Sequence, residues 1–342
     1  MRLSAMGDVA MAVPVLRAFT EQYPNVKLTV LTQPFFKPFF KSIPQVTVVD
    51  ADIKGRHKGV FGLYRLSKEL LLTNFDAIAD THNVIRSKIL RCFIFGKQVA
   101  QIDKGRHEKK ALVGGQSFKQ LKTTHQRYAD VFKNLGYPLD LSQPTFPKKG
   151  QLNDACIKVI GKDSKLWIGV APFAAFEGKI YPIDLMTVVI EQLSKTYKIL
   201  LFGAGNHEKQ TLETIASQYD SVVNLAGLFS LSEELEIMSN LDIMLAMDSG
   251  NAHMAAMLGV KVITLWGVTH PYAGFLPFNQ DMNSALLADR TIYPKIPTSI
   301  YGNTCPEGYE KVLGSISPDA ISTKIKEVLK LKSLVPEERG KI

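Results

Sequence analysis

Short apolar runs recur along the chain, and segments with helical periodicity separate them. The runs lie at 26–32, 46–49, 75–80, 97–102, 165–172, 198–203, 221–226, 242–247 and 260–267, with helical segments at 183–196, 207–218 and 231–240. Runs of this length that are rich in Val, Ile and Leu are typical of buried strands. Because helices alternate with them, we expect the strands to pair in parallel through crossover connections. The pattern therefore predicts an α/β fold built on parallel sheets.

The alternation stops once, at the polar and Pro-rich stretch 139–154. A break between two periodic regions is typical of a linker, and 342 residues suffice for two domains of ordinary size. We therefore predict two Rossmann-like domains, 1–150 and 151–342, whose parallel sheets face each other across a cleft. The start of the chain leaves room for only a short first strand before the loop at 5–8.

Charge is distributed unequally between the two halves. Residues 1–150 contain 24 Lys and Arg against 11 Asp and Glu, a net charge of +13, whereas residues 151–342 contain 17 against 21, a net charge of −4. Such asymmetry predicts that the first half meets an anionic partner: a nucleic acid, a phosphorylated lipid or a membrane surface. A basic face that is merely solvated is the alternative interpretation.

The cysteines and the apolar runs indicate the compartment. Cys92, Cys156 and Cys305 are widely spaced and match neither a zinc motif nor a disulfide framework, which suits a reducing, cytoplasmic compartment. No apolar run approaches the ~20 residues of a membrane-spanning helix. The apolar run at the N-terminus is interrupted by Asp8, and no small-residue cleavage site of a signal peptide follows it.

The segment SAMGDVAMAVPVLRAF (4–19) places a small-residue loop and Asp8 before a predicted helix. Two interpretations of Asp8 are open. As a cap of the helix N-terminus, it would stabilise the helix by roughly 1 kcal/mol. As a carboxylate at a strand-to-helix loop, it would be placed to accept a proton. The local sequence favours neither.

Two further strand-to-helix loops carry candidate binding groups. After the strand at 165–172, the backbone amides of Ala174 and Ala175 are candidates for a phosphate, with Lys179 as the counter-charge. After the next strand, a glycine turn precedes Glu208, a candidate for holding a ribose or a base. The commoner alternatives are an ordinary surface lysine and an exposed helix glutamate. The turn also lacks the full G-x-G-x-x-G of dinucleotide sites.

The segment MDSGNAHMAA (247–256) joins a predicted buried strand to a short helix. Ser249 and Gly250 stand at the helix N-terminus, whose free amides suit a phosphate, and Gly250 permits close backbone approach. His253 lies one turn further on, within reach of the same ligand. Asp248 repels a phosphate, so we expect it to accept hydrogen bonds from sugar hydroxyls or to orient the loop. A lone histidine is usually structural, but this group at a strand–helix junction indicates a binding site.

Taken in order, the segments SAMGD, AAFEGKIYP, GAGNHE, DSGNAHMAAMLG and LWGVTHP resemble glycosyltransferase family 9, the ADP-heptose:lipopolysaccharide heptosyltransferases. They occur in family order and span residues 4–271. The resemblance implies a GT-B fold and an inverting transfer, without a metal or other cofactor, from an ADP-linked sugar to a lipid A–core acceptor. It also implies a peripheral location on the inner face of the inner membrane, with no nucleic-acid partner.

Residue roles follow from the resemblance position by position. Asp8 is similar to the family's general base. The residues similar to the donor site are Lys179, Glu208, Asp248, Ser249, Gly250 and His253, with Ala174 and Ala175 where the family often has Thr or Ser. At those two alanines a hydroxyl contact is lost and the backbone amides remain.

Six cations follow predicted strands of the first half, at the edge that faces the cleft in a parallel sheet. They are Arg56, Lys58, Arg86, Lys88, Lys104 and Arg106. We expect them to hold phosphates of the lipid A–core acceptor at the membrane surface. Two alternative functions stay open. A nucleotide-sugar epimerase on the same fold needs no lipid-facing basic surface, and a non-catalytic module that binds RNA or membrane leaves the DSGNAH group unexplained.

Overall fold

The computed structural model describes residues 1–334, which form two compact units. The first unit comprises residues 1–106 and 122–147, and the second unit comprises residues 107–121 and the chain from Lys148 onward. The chain therefore leaves the first unit, adds one segment to the second, and returns before the linker. A single boundary near residue 150 does not describe this excursion, and the functions predicted for the two domains stay predictions.

Four short strands of the first unit form where the apolar runs predict them. They are β1 (Leu28–Thr32), β2 (Val46–Asp50), β3 (Ala77–Asp80) and β4 (Gln98–Gln101). β1 pairs in parallel with β2, and β3 pairs in parallel with β4. Residues 1–4 lie between the two pairs: the Arg2 N–H donates to the Leu31 carbonyl at 3.0 Å, and the terminal ammonium donates to the Ala79 carbonyl at 2.7 Å. The predicted short first strand is thus an extended segment between β1 and β3.

The helices of the first unit are α1 (Met6–Gln22), α2 (Gly59–Leu71), α3 (Ile85–Cys92) and, after a short helix α4 (Arg106–Val113), α5 (Thr124–Lys133). α4 begins at the last residue of the first unit and continues into the second. α1 packs against α5, and α2 packs against α3. The inner side of α2 buries Leu63, Leu66 and Leu70 with Leu31 and Ile78 in one apolar cluster, so burial of this leucine stripe holds the helix on the strands.

The second unit contains a six-stranded sheet in which every pairing is parallel. Its strands, in chain order, are β5 (Trp167–Ala171), β6 (Lys198–Leu201), β7 (Val222–Asn224), β8 (Ile243–Met247), β9 (Val262–Trp266) and β10 (Ala285–Leu287). In space they follow the order β10–β9–β8–β5–β6–β7. The apolar runs predicted all of these strands except β10, which is three residues long.

The helices of the second unit precede, connect or follow these strands in the chain. They are α6 (Asp154–Ile160), α7 (Ile183–Ser194), α8 (Asn206–Ala216), α9 (Leu231–Ser239), α10 (Gly250–Met257) and α11 (Pro318–Leu334). The core is continuous, with Ile168, Met186, Ile243 and Ile263 among its buried members. β8 and β9 are buried at every position, as expected for central parallel strands covered on both faces.

Because all strands of this sheet run in one direction, the residues that follow them meet at a single edge. Ala174, Ala175 and Lys179 follow β5, Glu208 follows β6, and the DSGNAH group follows β8. This edge is therefore the place where the predicted donor residues lie. Within residues 1–334, no helix has the length and apolarity needed to cross a bilayer.

Candidate functional site

An ion pair lies at the carboxyl edge of the second unit's sheet. Lys179 Nζ lies 3.3 Å from Asp248 Oδ2, and the same oxygen accepts a hydrogen bond from Thr269 Oγ1 at 2.9 Å. The Asp248 N–H donates to the Leu265 carbonyl, which ties the end of β8 to β9. Asp248 is buried and Lys179 is nearly so. Asp248 therefore orients the Lys179 side chain. The two roles expected of this carboxylate, hydrogen bonding to sugar hydroxyls and orientation of the loop, stay predictions.

Gly302 makes room for the lysine. Its φ of +87° lies in the left-handed region, and a Cβ placed there would lie 2.6 Å from the side-chain carbons of Lys179. A side chain at position 302 would push the lysine stem away. Asp248 thus holds the ammonium group, and the missing side chain at Gly302 leaves room for the stem that carries it.

The N-terminus of α10 adjoins this ion pair. Gly250 is its first residue, and Ser249 is the N-cap, although its side chain makes no capping hydrogen bond. The Ser249 hydroxyl is buried and has no hydrogen-bond partner among the described residues. His253, also buried, lies in the first turn of the same helix. Backbone amides, a hydroxyl and an ammonium therefore converge at one helix N-terminus, a combination that suits an anion.

The remaining donor candidates occupy the neighbouring loops. Ala174 is half-buried and Ala175 is exposed, both on the loop that follows β5. Glu208 lies in the first turn of α8, and its Oε2 accepts a hydrogen bond from the Ala204 N–H at 2.7 Å. This carboxylate therefore closes the glycine turn, and the role in nucleoside binding stays a prediction.

The first unit places Asp8 in the first turn of α1. Its carboxylate contacts the Arg2 guanidinium and accepts a hydrogen bond from the Ala5 N–H at 3.4 Å. Arg2 also donates to the Thr81 carbonyl at 2.7 Å, and the Tyr128 hydroxyl donates to the Asp8 carbonyl at 3.2 Å. Both interpretations of Asp8 keep their support: it contacts a backbone amide at the helix N-terminus, and it stays partly exposed with a fixed orientation.

His82 and Lys104 lie in the electrostatic surroundings of Asp8. The two follow β3 and β4, and His82 Nε2 lies 3.4 Å from Ser4 Oγ. Burial, followed by the positive charges of Arg2 and Lys104, lowers the pKa of His82 to about 4, which keeps its imidazole neutral at pH 7. Burial and the neighbouring Arg2 lower the pKa of Lys104, while Asp8 acts in the opposite direction. A carboxylate, a neutral imidazole and an ammonium thus share one edge of the first unit.

The six predicted acceptor cations divide into groups. Lys58, Arg86, Lys88 and Arg106 are exposed, and Lys104 is half-buried near Asp8. Arg56 is exposed, but its guanidinium bonds Glu69 at 2.9 Å. All six follow the carboxyl ends of β2, β3 or β4, as predicted. Lys104 is the member that the fold brings toward the candidate base.

Three polar residues that the sequence did not single out belong to these sites. Arg2 and His82 surround Asp8, and Thr269 binds Asp248. Arg2 and His82 come from positions about 80 residues apart in the chain, so local motifs could not connect them. Thr269 had a local signal, since it lies in the loop that follows β9, at the same sheet edge.

Comparisons with known proteins agree with this architecture. The sequence model of glycosyltransferase family 9 (heptosyltransferase) matches residues 63–296, more than half of the chain. A lipopolysaccharide core heptosyltransferase, OpsX of Haemophilus influenzae, is 26% identical over 294 residues, which cover 79% of each chain.

Solved structures share the fold at low identity. A family 9 glycosyltransferase from Veillonella parvula superposes with a TM-score of 0.74 at 18% identity, covering 96% of this chain and 95% of the other. The E. coli heptosyltransferase WaaC with ADP gives a TM-score of 0.69 at 17% identity, covering 96% and 98%. The predicted fold class, an α/β fold of the GT-B type, is therefore confirmed.

Proposed function

The chain belongs to glycosyltransferase family 9 and is a glycosyltransferase, and we propose that it moves heptose from ADP-heptose to the core of a lipid A-linked acceptor. The transfer proceeds with inversion and without a metal ion, as the family resemblance implies. The observation that carries the proposal is the group at the carboxyl edge of the second unit: Lys179 on Asp248, beside Ser249 and the α10 N-terminus.

The donor's diphosphate is the ligand that fits this group. Lys179 supplies a fixed positive charge, and the α10 amides with the Ser249 hydroxyl supply hydrogen-bond donors. His253 borders the same place, and the amides of Ala174 and Ala175 lie on the adjoining loop. The solved E. coli relative carries ADP, which supports an adenosine diphosphate donor. Glu208 is assigned to the nucleoside.

Asp8 is assigned the role of general base. It takes the proton of the acceptor hydroxyl while that oxygen attacks the anomeric carbon from the face opposite the diphosphate. The new glycosidic C–O bond forms as the bond from carbon to the diphosphate oxygen breaks, and ADP leaves with the electron pair. Lys179 and the α10 N-terminus stabilise the negative charge that develops on the leaving diphosphate.

The acceptor is assigned to the first unit. The net charge of +13 over residues 1–150 supports a partner with several phosphates, and the exposed cations after β2, β3 and β4 are its contacts. A lipid-linked acceptor places the enzyme at the inner face of the inner membrane as a peripheral protein. The name of the H. influenzae relative, a lipopolysaccharide core heptosyltransferase, supports this acceptor class.

Acceptor-dependent release of ADP tests the proposal. ADP-heptose with a lipid A–core acceptor should yield ADP and a glycosylated lipid, whereas either substrate alone should yield neither. An epimerase would alter the nucleotide sugar without the acceptor, and a non-catalytic module would yield no product from any pair. ADP-, UDP- and GDP-sugars compared at equal concentration by protection against thermal unfolding identify the donor base, because a ligand that binds the folded state stabilises it more the tighter it binds.

A further inference from the structure

The first unit exposes large apolar side chains to an unusual degree. Phe61 is 92% exposed, Leu72 86%, Phe95 84% and Ile85 77%. In the described part of the second unit, no large apolar side chain exceeds the 65% of Leu331. Single exposed apolar residues are common on protein surfaces, but a cluster of aromatic and aliphatic side chains that are almost fully exposed to solvent indicates an interaction surface.

Two of these side chains, Phe61 and Leu72, lie on the outer side of α2 and at its C-cap. The helix turns Leu63, Leu66 and Leu70 into the core, so its outer side consists of residues offset from them by helical spacing. The outer residues are Phe61, Tyr64, Arg65, Lys68 and Leu72, and we call this set the α2 face. It extends over ~16 Å at the α-helical rise per residue.

The turn after α3 extends the α2 face. The rings of Tyr64 and Phe93 meet edge-on with centroids 5.4 Å apart, and Phe95 lies two residues further along the same turn. Lys68 Nζ lies 5.2 Å from the centre of the Tyr64 ring. Aromatic rings and cations thus alternate on this surface. The methylene stems of Lys and Arg are apolar and can lie along it while their charged groups stay in water.

The charge around the α2 face has one predominant sign. Residues 54–104 contain ten Lys and Arg against four Asp and Glu. Of these acids, Asp80 is buried. Glu69 forms an ion pair with Arg56, and its carboxylate lies 3.2 Å from the His57 ring. The surface therefore complements an anionic partner that also accepts apolar side chains. A helix with Lys and Arg beside Phe and Leu is typical of binding in the plane of a membrane interface.

We propose that the α2 face and the turn at Phe95 dock on an anionic bilayer. Phe61, Leu72 and Phe95 enter the boundary between head groups and acyl chains, while Arg65 and Lys68 meet lipid phosphates. This inference deepens the proposed function and rests on it for the presence of a lipid-linked acceptor. A second copy of the chain is a poorer occupant, because a two-fold contact would place Arg65 and Lys68 near their own copies.

Vesicle sedimentation tests the docking surface directly. The wild-type chain should bind vesicles of 70% phosphatidylcholine and 30% phosphatidylglycerol, and bind pure phosphatidylcholine at least about tenfold more weakly. The double variant Phe61→Ser/Leu72→Ser should lose about tenfold or more of its affinity for the anionic vesicles. The matched control Ile292→Ser/Leu331→Ser removes two exposed apolar side chains of the second unit and should keep its affinity within about twofold.

Two further measurements distinguish loss of membrane docking from misfolding and from self-association. The Phe61→Trp variant should show a blue shift of its emission with anionic vesicles, which reports insertion at that position. Sedimentation velocity should give the same mass for wild type and the Phe61→Ser/Leu72→Ser variant. Unchanged vesicle binding by the double variant, or no emission shift, overturns the inference. A wild-type dimer that this variant converts to monomer, with vesicle binding intact, also overturns it in favour of a second copy.

A soluble acceptor separates this inference from the proposed function. With a deacylated, water-soluble acceptor, the Phe61→Ser/Leu72→Ser variant should release ADP as fast as wild type, and the defect should appear only with a vesicle-embedded acceptor. Full activity on embedded acceptor by this variant contradicts the docking surface and leaves the glycosyl transfer in place. Normal vesicle binding without ADP release from either acceptor contradicts the proposed function and leaves the docking surface in place.

Discussion

Both units hold a carboxylate against a cation, but they expose the pair differently. In the second unit, Asp248 is buried under Lys179 and also binds Thr269. In the first unit, Asp8 contacts Arg2 and keeps about a third of its side chain exposed. A buried carboxylate with these two contacts is suited to holding a partner in place. A partly exposed one can meet a substrate's proton, so the same pairing supports a positioning role in one unit and a chemical role in the other.

The sheets of the two units also differ in how completely their strands are paired and buried. The six strands of the second unit pair continuously and bury their central members, which fixes the loops at their ends. The first unit pairs its strands in twos, and β2 and β4 leave most positions partly or fully exposed. A rigid edge suits the recognition of a small, highly charged group. A surface with exposed cations and apolar side chains suits an extended partner.

Replacing Asp8 tests most directly whether the two carboxylates have different roles. Asp8→Asn should lower turnover by roughly 10²-fold or more, the scale of lost general-base catalysis. Affinity for ADP should stay within about twofold, since a base that acts on the acceptor makes no contact with free ADP. Steady-state ADP release and calorimetric ADP titration measure the two quantities.

The matched control for this variant is Asp76→Asn, an exposed acid of the same unit. It should turn over at the wild-type rate. If Asp8→Asn also keeps near-normal turnover, Asp8 serves only the first turn of α1 through the Ala5 N–H.

A buried histidine in each unit makes stability depend on pH. Burial, followed by nearby positive charge, lowers the pKa of His82 to about 4, and burial with Arg290 does the same for His270. Between pH 6.5 and about 4, the unfolded chain binds protons at these positions and the folded chain does not. Stability is therefore full above pH 6.5 and is lost as the pH falls, by on the order of 2–3 kcal/mol per histidine near pH 4.

Urea unfolding at pH 7, 5 and 4 checks this dependence. His82→Gln and His270→Gln should each flatten the fall of the unfolding free energy with acid, by about one proton's slope over this window. The control His207→Gln removes an exposed histidine of α8 and should leave the slope as in wild type. If all three variants kept the wild-type slope, the two buried histidines would bind protons in the folded chain over the same pH range as in the unfolded chain.

Much of this architecture could be read from the sequence, and the rest depends on long-range contacts. Nine strands followed from apolar runs, because buried parallel strands need continuous Val, Ile and Leu. β10 has three residues, too few for a pattern. The excursion of residues 107–121 into the second unit gave no signal, since its contacts, such as Leu121 N–H to the Tyr272 carbonyl, join residues that are far apart in the chain.

The candidate sites divide in the same way. The DSGNAH group was found because its residues are adjacent in sequence, and the Lys179–Asp248 pair joins two motifs that the sequence had singled out. The Arg2–Asp8 pair is local as well, but its arginine precedes the recognised motif. His82 comes from a strand end with no motif of its own, so only the fold connects it to Asp8. The functional roles of all these residues stay predictions.

The donor site proposed for the second unit is tested by removing its positive charge. Lys179→Ala should weaken ADP binding about tenfold or more, because a charge-assisted hydrogen bond contributes about 1.5–3 kcal/mol. His253→Ala should have an effect of similar size. The control Lys195→Ala removes an exposed lysine paired with Glu191 in the same unit. Calorimetric titration with ADP should separate the first two variants from the control, and unchanged affinity in all three would refute the donor-site assignment.

The smallest expected effects distinguish the acceptor cations from one another. Lys104 lies near Asp8, whereas the Arg56 guanidinium already bonds Glu69. A cation near an anionic surface contributes about 1 kcal/mol, or roughly fivefold. Lys104→Gln should therefore raise the acceptor KM about fivefold, and Arg56→Gln should raise it less than about twofold, because Glu69 offsets the arginine's charge. Neither substitution should change ADP affinity, since we assign the donor to the other unit.

The salt dependence of these two variants completes the comparison. Raising ionic strength screens exposed charges, so the wild-type KM for the acceptor should rise with salt. Lys104→Gln should show a shallower rise, since one screened contact is missing, while Arg56→Gln should follow wild type. Equal effects of the two substitutions on KM would mean that the acceptor senses only the total charge of the first unit. Loss of ADP binding with an unchanged acceptor KM would instead place these cations at the donor and leave the lipid acceptor supported by family membership alone.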